Sequence, residues 1–348
     1  MANESKPTFT DVNTLGEFGL IDSLTQGMSH VHASSLKGIG DDAAVIKFGE
    51  EHIVVSTDML VEGIHFDLMY SPLKHLGYKA IIVNLSDIYA MNAIPSQVTV
   101  SIAISSKYSV EAVTELYAGI KEACRLYKVD LVGGDTTSSP KGMAISITAI
   151  GTAKPEKITY RSGAKKGDIL CVSGDLGAAY LGLQILEREK QLYLSNPGIQ
   201  PDLENQQYLL ERQLKPEARK DMVHYFAKDD LIPTAMIDIS DGLASDLMHI
   251  CKASGVGAYL EEAKIPIHDD AQLLAIKFQL DPVTTALNGG EDYELLFTID
   301  EKDLEKIRYM PSTYIIGEIV DKSDGITLHT TGGNIHPLKA QGWNHFEE

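Results

Sequence analysis

"MIDISDGLASDL" (Met236 to Leu247) begins as an apolar run, turns a corner at Ser240, Asp241 and Gly242, and continues with helix-spaced apolar residues from Leu243. That is a strand-to-helix corner, the basic join of an α/β fold. Asp238, Asp241 and Asp246 stand in it with no Lys or Arg beside them. A carboxylate among apolar residues is costly unless it is hydrogen-bonded, protonated or matched by a cation. Asp241 has two compatible readings: N-cap of the helix "GLASDLMHI", or metal ligand. Asp246, five residues on and roughly across the helix from Asp241, reads as a solvated residue.

The same arrangement recurs in "GIGDDAAVI" (Asp41, Asp42), "VVSTDML" (Asp58), "VNLSDIYAM" (Asp87), "LVGGDTTSS" (Asp135) and "NGGEDYELLF" (Glu291, Asp292). Any one of these acids alone reads as a turn residue. Together, and without neighbouring cations, they point to bound metal. Asp58 and Asp135 read as the last residues of apolar strands, where ligand-bearing loops of α/β sheets begin. Asp87 falls on an apolar helix face, four residues after Val83. Hard oxygen donors select Mg²⁺ or Mn²⁺ over Zn²⁺, and Mg²⁺ shares its shell with phosphates, so several ions around a polyphosphate are expected. No GxxxxGK[ST] loop and no protein-kinase signature is present, which removes those two classes of phosphotransferase.

A chain of 348 residues predicts two domains, and 44% hydrophobic with 23% charged residues predicts an ordinary globular protein. A formal charge of -19 argues against nucleic acid and anionic membranes as partners, so a phosphate ligand must come with divalent metal or meet local basic groups. Cys124, Cys171 and Cys251 are scattered in apolar contexts and read as buried thiols of a reducing compartment. With no 18-residue apolar span and no signal-like start in "MANESKPTFTD", the expected location is cytoplasmic.

"HIVVSTD", "SQVTVSIAIS", "VDLVGG" and "MAISITAIGT" read as strands; "PLKHLGYKAIIVNLSDIYAMNA" and "SVEAVTELYAGIKEACRLY" read as helices. Residues 1–153 are therefore expected to form an N-terminal α/β domain. After the polar connector Lys154 to Asp168, strands and helices resume, so 154–348 form a second domain. Gln191 to Gln207, polar and with two prolines, reads as a surface excursion.

With "GEFGLI", "GIGDDAA", "STDMLVEGIHF", "KAIIVNLSDIYAMNAIP", "LVGGDTT", "TYRSGAKKGD", "IDISDGLASDL", "GGEDYELLFT" and "GWNHF" in this order, the sequence resembles the thiamine-monophosphate kinase family. That family lies within the superfamily of aminoimidazole ribonucleotide synthetase and selenophosphate synthetase. The resemblance implies an α/β (α+β) fold of two mixed-sheet domains, with the N-terminal domains pairing in a homodimer. It implies direct, Mg²⁺-assisted transfer of the γ-phosphoryl group of ATP to thiamine monophosphate, with no covalent nucleophile. By motif, Asp42, Ser56, Thr57, Asp58, Asp87, Asp135, Asp238 and Asp241 resemble the Mg²⁺ ligands. Tyr117, Gly134, Asp135, Arg161 and Ser240 resemble ATP contacts, and His65, Glu291 and Trp343 resemble contacts to thiamine phosphate.

Several of these have a second reading from the residues alone. His65 is also a plausible loop histidine, and Tyr117, on an amphipathic helix, a core residue. Glu291 either caps the strand "YELLFTI" or faces a cationic ring. Trp343 either packs on its own domain or stacks on a heteroaromatic ring. A selenophosphate synthetase would carry a reactive Cys near the start, whereas the first cysteine is Cys124; the hydrogenase-maturation relative would end in Cys, whereas this chain ends "NHFEE". An aminoimidazole ribonucleotide synthetase-like enzyme stays open as the enzymatic rival, since it shares the acid-and-glycine style of site, although it lacks the "GGEDYE" and terminal aromatic pairing. A non-catalytic Mg²⁺ and nucleotide sensor is the rival from another class. If Trp343 stacks on the acceptor, Trp343→Ala raises the Michaelis constant for thiamine monophosphate more than that for ATP in steady-state assays; equal rises identify packing.

Overall fold

Strict alternation builds the first sheet. In "MAISITAIGTA" (β6 below), Met143, Ile145, Ile147 and Ala149 are buried, while Ala144, Ser146, Thr148 and Ile150 between them are only half-buried. One face of the sheet is thus a core face and the other is open. The structure, a computed structural model, describes residues 16–27 and 31–339. Its first strands are β1 (Ser35–Lys37), β2 (Ala44–Phe48), β3 (Glu51–Val61), β4 (Ile94–Ile104), β5 (Asp130–Ser138) and β6 (Met143–Ala153), in the order β1-β2-β3-β6-β4-β5. Only the β4/β5 pair is parallel.

Asp58 and Asp135 do not end their strands: β3 runs on to Val61 and β5 to Ser138. The reason is backbone pairing, which continues through the polar residues; Asp58 stands opposite Ile147, and Asp135 opposite Ser101. β5 is exposed along its whole length, Leu131 and Val132 included.

Ahead of this sheet in the chain comes α1 (Gly16–Thr25), whose Phe18 ring lies 4.4 Å from that of His249 in the second half; the helices between the strands are α2 (Leu73–Ala90) and α3 (Val110–Tyr127). The α3 N-terminus is capped by Ser109, whose Oγ accepts from the Ala112 N–H at 3.2 Å. α2 was expected to show one apolar face, but it is buried nearly all round, from Leu76 to Ala90 except Asp87. It packs against α3, against β3 and β6, and against the second sheet, so every face is covered. α2 and α3 cross at two glycines. A Cβ on Gly77 would fall 2.0 Å from the Leu116 carbonyl oxygen, and one on Gly119 would fall 1.8 Å from that of Lys74.

The second sheet contains β7 (Ile169–Ser173), β8 (Ala235–Asp238), β9 (Gly257–Glu261), β10 (Leu295–Ile299), β11 (Thr313–Val320), β12 (Ile326–His329) and β13 (Ile335–Pro337). Its order is β13-β12-β9-β11-β7-β10-β8, antiparallel except for β9/β12. Its helices are α4 (Ala178–Ser195), α5 (Gln207–Leu214), α6 (Lys220–Lys228), α7 (Leu243–Ser254), α8 (Asp269–Lys277), α9 (Pro282–Asn288) and α10 (Leu304–Ile307). α4 continues to Ser195, so the polar excursion starts at Asn196, five residues later than its composition suggested. Buried Glu189 on α4 ties it down, accepting the Asp202 N–H at 3.0 Å. No described helix is long and apolar enough to cross a membrane.

The glycine crossing yields a direct test. Gly119→Ala drives a methyl into the α2 backbone and is expected to destabilise the fold by about 1–3 kcal/mol, read as a lower denaturation midpoint at unchanged slope.

Candidate active site

Three carboxylates from distant parts of the chain meet between the two sheets. Asp42 comes from the turn before β2, Asp87 from the last turn of α2 and Asp238 from the end of β8; one oxygen of each lies within 4.8 Å of the others. The packing explains why they converge. Buried α2 is pressed against β8, and Ser86, next to Asp87, donates its hydroxyl to Asp238 Oδ2 at 2.5 Å. Ser56 on β3 donates to Asp87 Oδ2, and Asp58, on the same strand face as Ser56, shares a hydrogen bond with the Asp87 carboxyl. The Asp58 N–H is fixed by Asn84 Oδ1 at 2.9 Å.

Their electrostatics are those of a cation site. Burial raises Asp42 to about 7, with Arg161 pulling it down and Asp238 and Asp41 adding to the rise. Burial raises Asp58 to about 6, against its hydrogen bond to Asp87. Asp238 is likewise raised by burial to about 6, against help from Ser86 and Arg161. Asp87 stands well above its usual range through burial and the charges of Asp58, Asp238 and Asp42. One Asp42 oxygen, Oδ2, is buried without a hydrogen-bond partner. An all-oxygen donor set with an orphaned carboxylate oxygen fits Mg²⁺.

Arg161 is the cation that the local sequence lacked. Its Nη2 lies 2.8 Å from Asp42 Oδ1, and its N–H donates to Asp41 Oδ1 at 3.0 Å. Lys37 pairs with the other Asp41 oxygen at 3.2 Å. Asp241 and exposed Ser240 occupy the corner after β8. The N-cap position is Gly242, so Asp241 is not the cap of α7. Asp246 is buried, 2% exposed, rather than solvated. Its Oδ2 turns back to accept the Gly242 N–H at 3.1 Å, which draws it into the helix start and toward the acidic cluster. The charges of Asp241 and Asp238 add to the burial that raises it.

Not every residue read from sequence joins this cluster. Thr57 pairs with Thr148, and Asp135 with Ser101, one step out of phase with Asp58 and Ile147, so both side chains lie on the open face of the sheet. Gly134 is backed against β4; a Cβ there would sit 1.9 Å from the Val100 carbonyl oxygen. Tyr117 is half-buried and packs against the first core. Trp343 lies outside the described residues.

His65 and Glu291 do converge, through a residue that sequence reading passed over. His65 follows β3 and accepts the Val61 N–H on Nδ1 at 3.1 Å. It lines a small cavity with Phe66, Tyr70, Lys79 and Gln213. Lys79 Nζ reaches Glu291 Oε1 at 2.9 Å. The flanking acids are also paired. Asp292 accepts the Gly177 N–H at 2.8 Å at the start of α4, and Glu294 is held between Arg212, at 2.8 Å, and Arg219. Lys79 and the two arginines sit far from "GGEDYE" in sequence; the one available signal was charge inside apolar helical spacing, as in "HLGYKAII".

Comparison with known proteins identifies the fold and its relatives. Residues 40–153 match the AIR synthase related protein, N-terminal domain, and residues 165–329 match the AIR synthase related protein, C-terminal domain. The fold is thus that of the AIR synthase related class. Thiamine-monophosphate kinase of Bacillus subtilis (strain 168) is 36% identical over 344 residues, covering 96% of this chain and 100% of that one. The solved structure of AaThiL complexed with AMPPCP and TMP superposes with a TM-score of 0.83 at 32% identity, covering 97% of this chain and 100% of that one. Thiamine monophosphate kinase from Aquifex aeolicus gives a TM-score of 0.75 at 31% identity over 94% and 100%. The chain belongs to the thiamine-monophosphate kinase family.

The raised carboxylates set the pH response. Folded Asp42, Asp58 and Asp238 hold protons up to about pH 6–7, whereas an unfolded Asp releases its proton near pH 4. The folded state binds more protons in that window, so stability of metal-free protein falls as pH rises from about 4 to 7. Thermal melts in EDTA should show this decline, and Mg²⁺ should raise the melting temperature more at pH 8 than at pH 5.5.

Proposed function

We propose that this chain transfers the γ-phosphoryl group of ATP to thiamine monophosphate, giving ADP and thiamine diphosphate. The observation that carries the reading is the meeting of Asp42, Asp87 and Asp238 from both sheets in a chain aligned end to end with thiamine-monophosphate kinases. Phosphoryl transfer needs positioning and charge neutralisation rather than a protein nucleophile, and the site offers oxygen donors and an arginine. Mg²⁺, when bound, supplies charge neutralisation on the phosphate oxygens. Asp42, Asp58, Asp87 and Asp238 would hold it, with Ser56 and Asp241 beside them; Thr57 and Asp135, on the other face of the sheet, would serve a separate ion. Arg161, poised on Asp42, would contact the ATP phosphates by charge-assisted hydrogen bonds, near Gly134 and Ser240. His65, Glu291 and Trp343 would hold the acceptor.

We place the domain boundary between residues 153 and 154. The exposed strand β5 and the open sheet face that carries Thr57 and Asp135 support pairing of N-terminal domains in a homodimer. In such a dimer Tyr117 would approach the nucleotide across the interface. Three buried cysteine thiols support a cytoplasmic setting.

A coupled assay with ATP and Mg²⁺ tests the reaction. Thiamine diphosphate, read by chromatography, should require both substrates and vanish with EDTA; ADP without it would indicate another member of the class, and no turnover a sensor. Asp58→Asn should cut turnover by ~10²-fold or more with the fold intact by circular dichroism. Near-normal turnover in saturating Mg²⁺ removes Asp58 from the metal set.

A further inference from the structure

Glu291 sits on strained backbone. Its φ is +64° and that of Tyr293 is +52°, the left-handed region that non-glycine residues seldom occupy. The Glu291 N–H donates to the Ser240 carbonyl at 2.8 Å, which ties this loop to the corner after β8. Its carboxylate is gripped on both oxygens: Lys79 Nζ lies 2.9 Å from Oε1, and Gln213 Nε2 donates to Oε2 at 2.8 Å. Lys79 also donates to the Gln213 carbonyl at 3.1 Å, so the two gripping residues brace each other. Both are 5% exposed, and both line the cavity with His65 and Tyr70. The Gln213 Oε1 atom is buried there with no hydrogen-bond partner, an acceptor in want of a donor. Each Glu291 oxygen has a second lone pair, so the grip leaves room for one more contact.

Lys79 and Asp87 ride on the same helix. Eight residues at 1.5 Å each place Lys79 about 12 Å along α2 from the carboxylate cluster. α2 is rigid and buried on every side, so that interval is fixed.

We propose that Lys79 and Gln213 are positioning residues that set acceptor specificity. They hold Glu291 a helix-measured distance from the phosphoryl-transfer centre. The acceptor they select is a monophosphate ester whose organic part reaches that far, brings positive charge to Glu291 and offers an N–H to Gln213 Oε1. This rests on the kinase reading above.

The test starts with wild-type formation of thiamine diphosphate. It proceeds to Michaelis constants for both substrates in Lys79→Met, Lys79→Arg, Gln213→Leu, Glu291→Gln and the Lys79→Met/Glu291→Gln double variant, with melting temperatures alongside. Lys79→Met should raise the constant for thiamine monophosphate about tenfold or more and leave that for ATP within about twofold. Lys79→Arg should recover part of the loss, and the double variant should be no worse than Glu291→Gln alone. Equal rises for both substrates, additive losses, or an unchanged constant for thiamine monophosphate would overturn the proposal. Gln213→Leu puts the same question should Lys79→Met not fold. A wild type that makes no thiamine diphosphate defeats the kinase reading itself, and this proposal with it.

Discussion

Like charges confined in a dry place repel, and here Asp42, Asp58, Asp87 and Asp238 are confined between two sheets, with Arg161 paired to Asp42. Bringing these groups together works against folding unless protons or metal offset it. The protein accepts that burden by making α2 the most enclosed helix of the fold and anchoring it to both sheets. Hydrophobic packing of Ile81, Ile82, Leu85 and Ile88 drives Asp87 into position, since those side chains are wholly buried on the same helix. The apolar core therefore supplies the free energy that the acidic site consumes.

The two sheets divide the labour. The first provides carboxylates from β3 and α2 on its core side, and Thr57 and Asp135 on its open side. The second contributes Asp238 and Asp246 from one strand-to-helix corner, plus the loop of Glu291. Ser86 bonded to Asp238, and Lys79 bonded to Glu291, are both placed by α2. One helix therefore registers the two halves of the site against each other at two points.

Much of this was readable from the residues. Period-2 alternation in "MAISITAIGTA" and the Ser109 cap gave strands and helices directly, because both signals are local. The acidic islands were visible too, since an acid beside glycine in an apolar run breaks the ordinary pattern. What local reading missed were partners joined only by folding. Arg161 reaches Asp42 from 119 residues away, and Arg212 reaches Glu294 from 82. Burial of Asp246 was missed for a related reason: its helix face looked outward until the corner at Gly242 turned its carboxylate back on the backbone. Strand ends were misplaced at Asp58 and Asp135 because pairing follows the neighbouring strand, not the polarity of the side chain.

The pairing of Arg212 and Arg219 with Glu294 has a consequence for the order in which the molecule is made. Arg219 leaves the ribosome 75 residues before the carboxylate that neutralises it. At ordinary synthesis rates that is a wait of roughly 4–15 s. During it Arg212 on α5 and Arg219, the residue before α6, have buried places that do not yet exist. The second sheet cannot close around them until β10 emerges, because β10 both follows Glu294 and forms the seam between β7 and β8. The first sheet is complete in the chain at Ala153, so the α2 surface that the second half covers emerges long before its cover does.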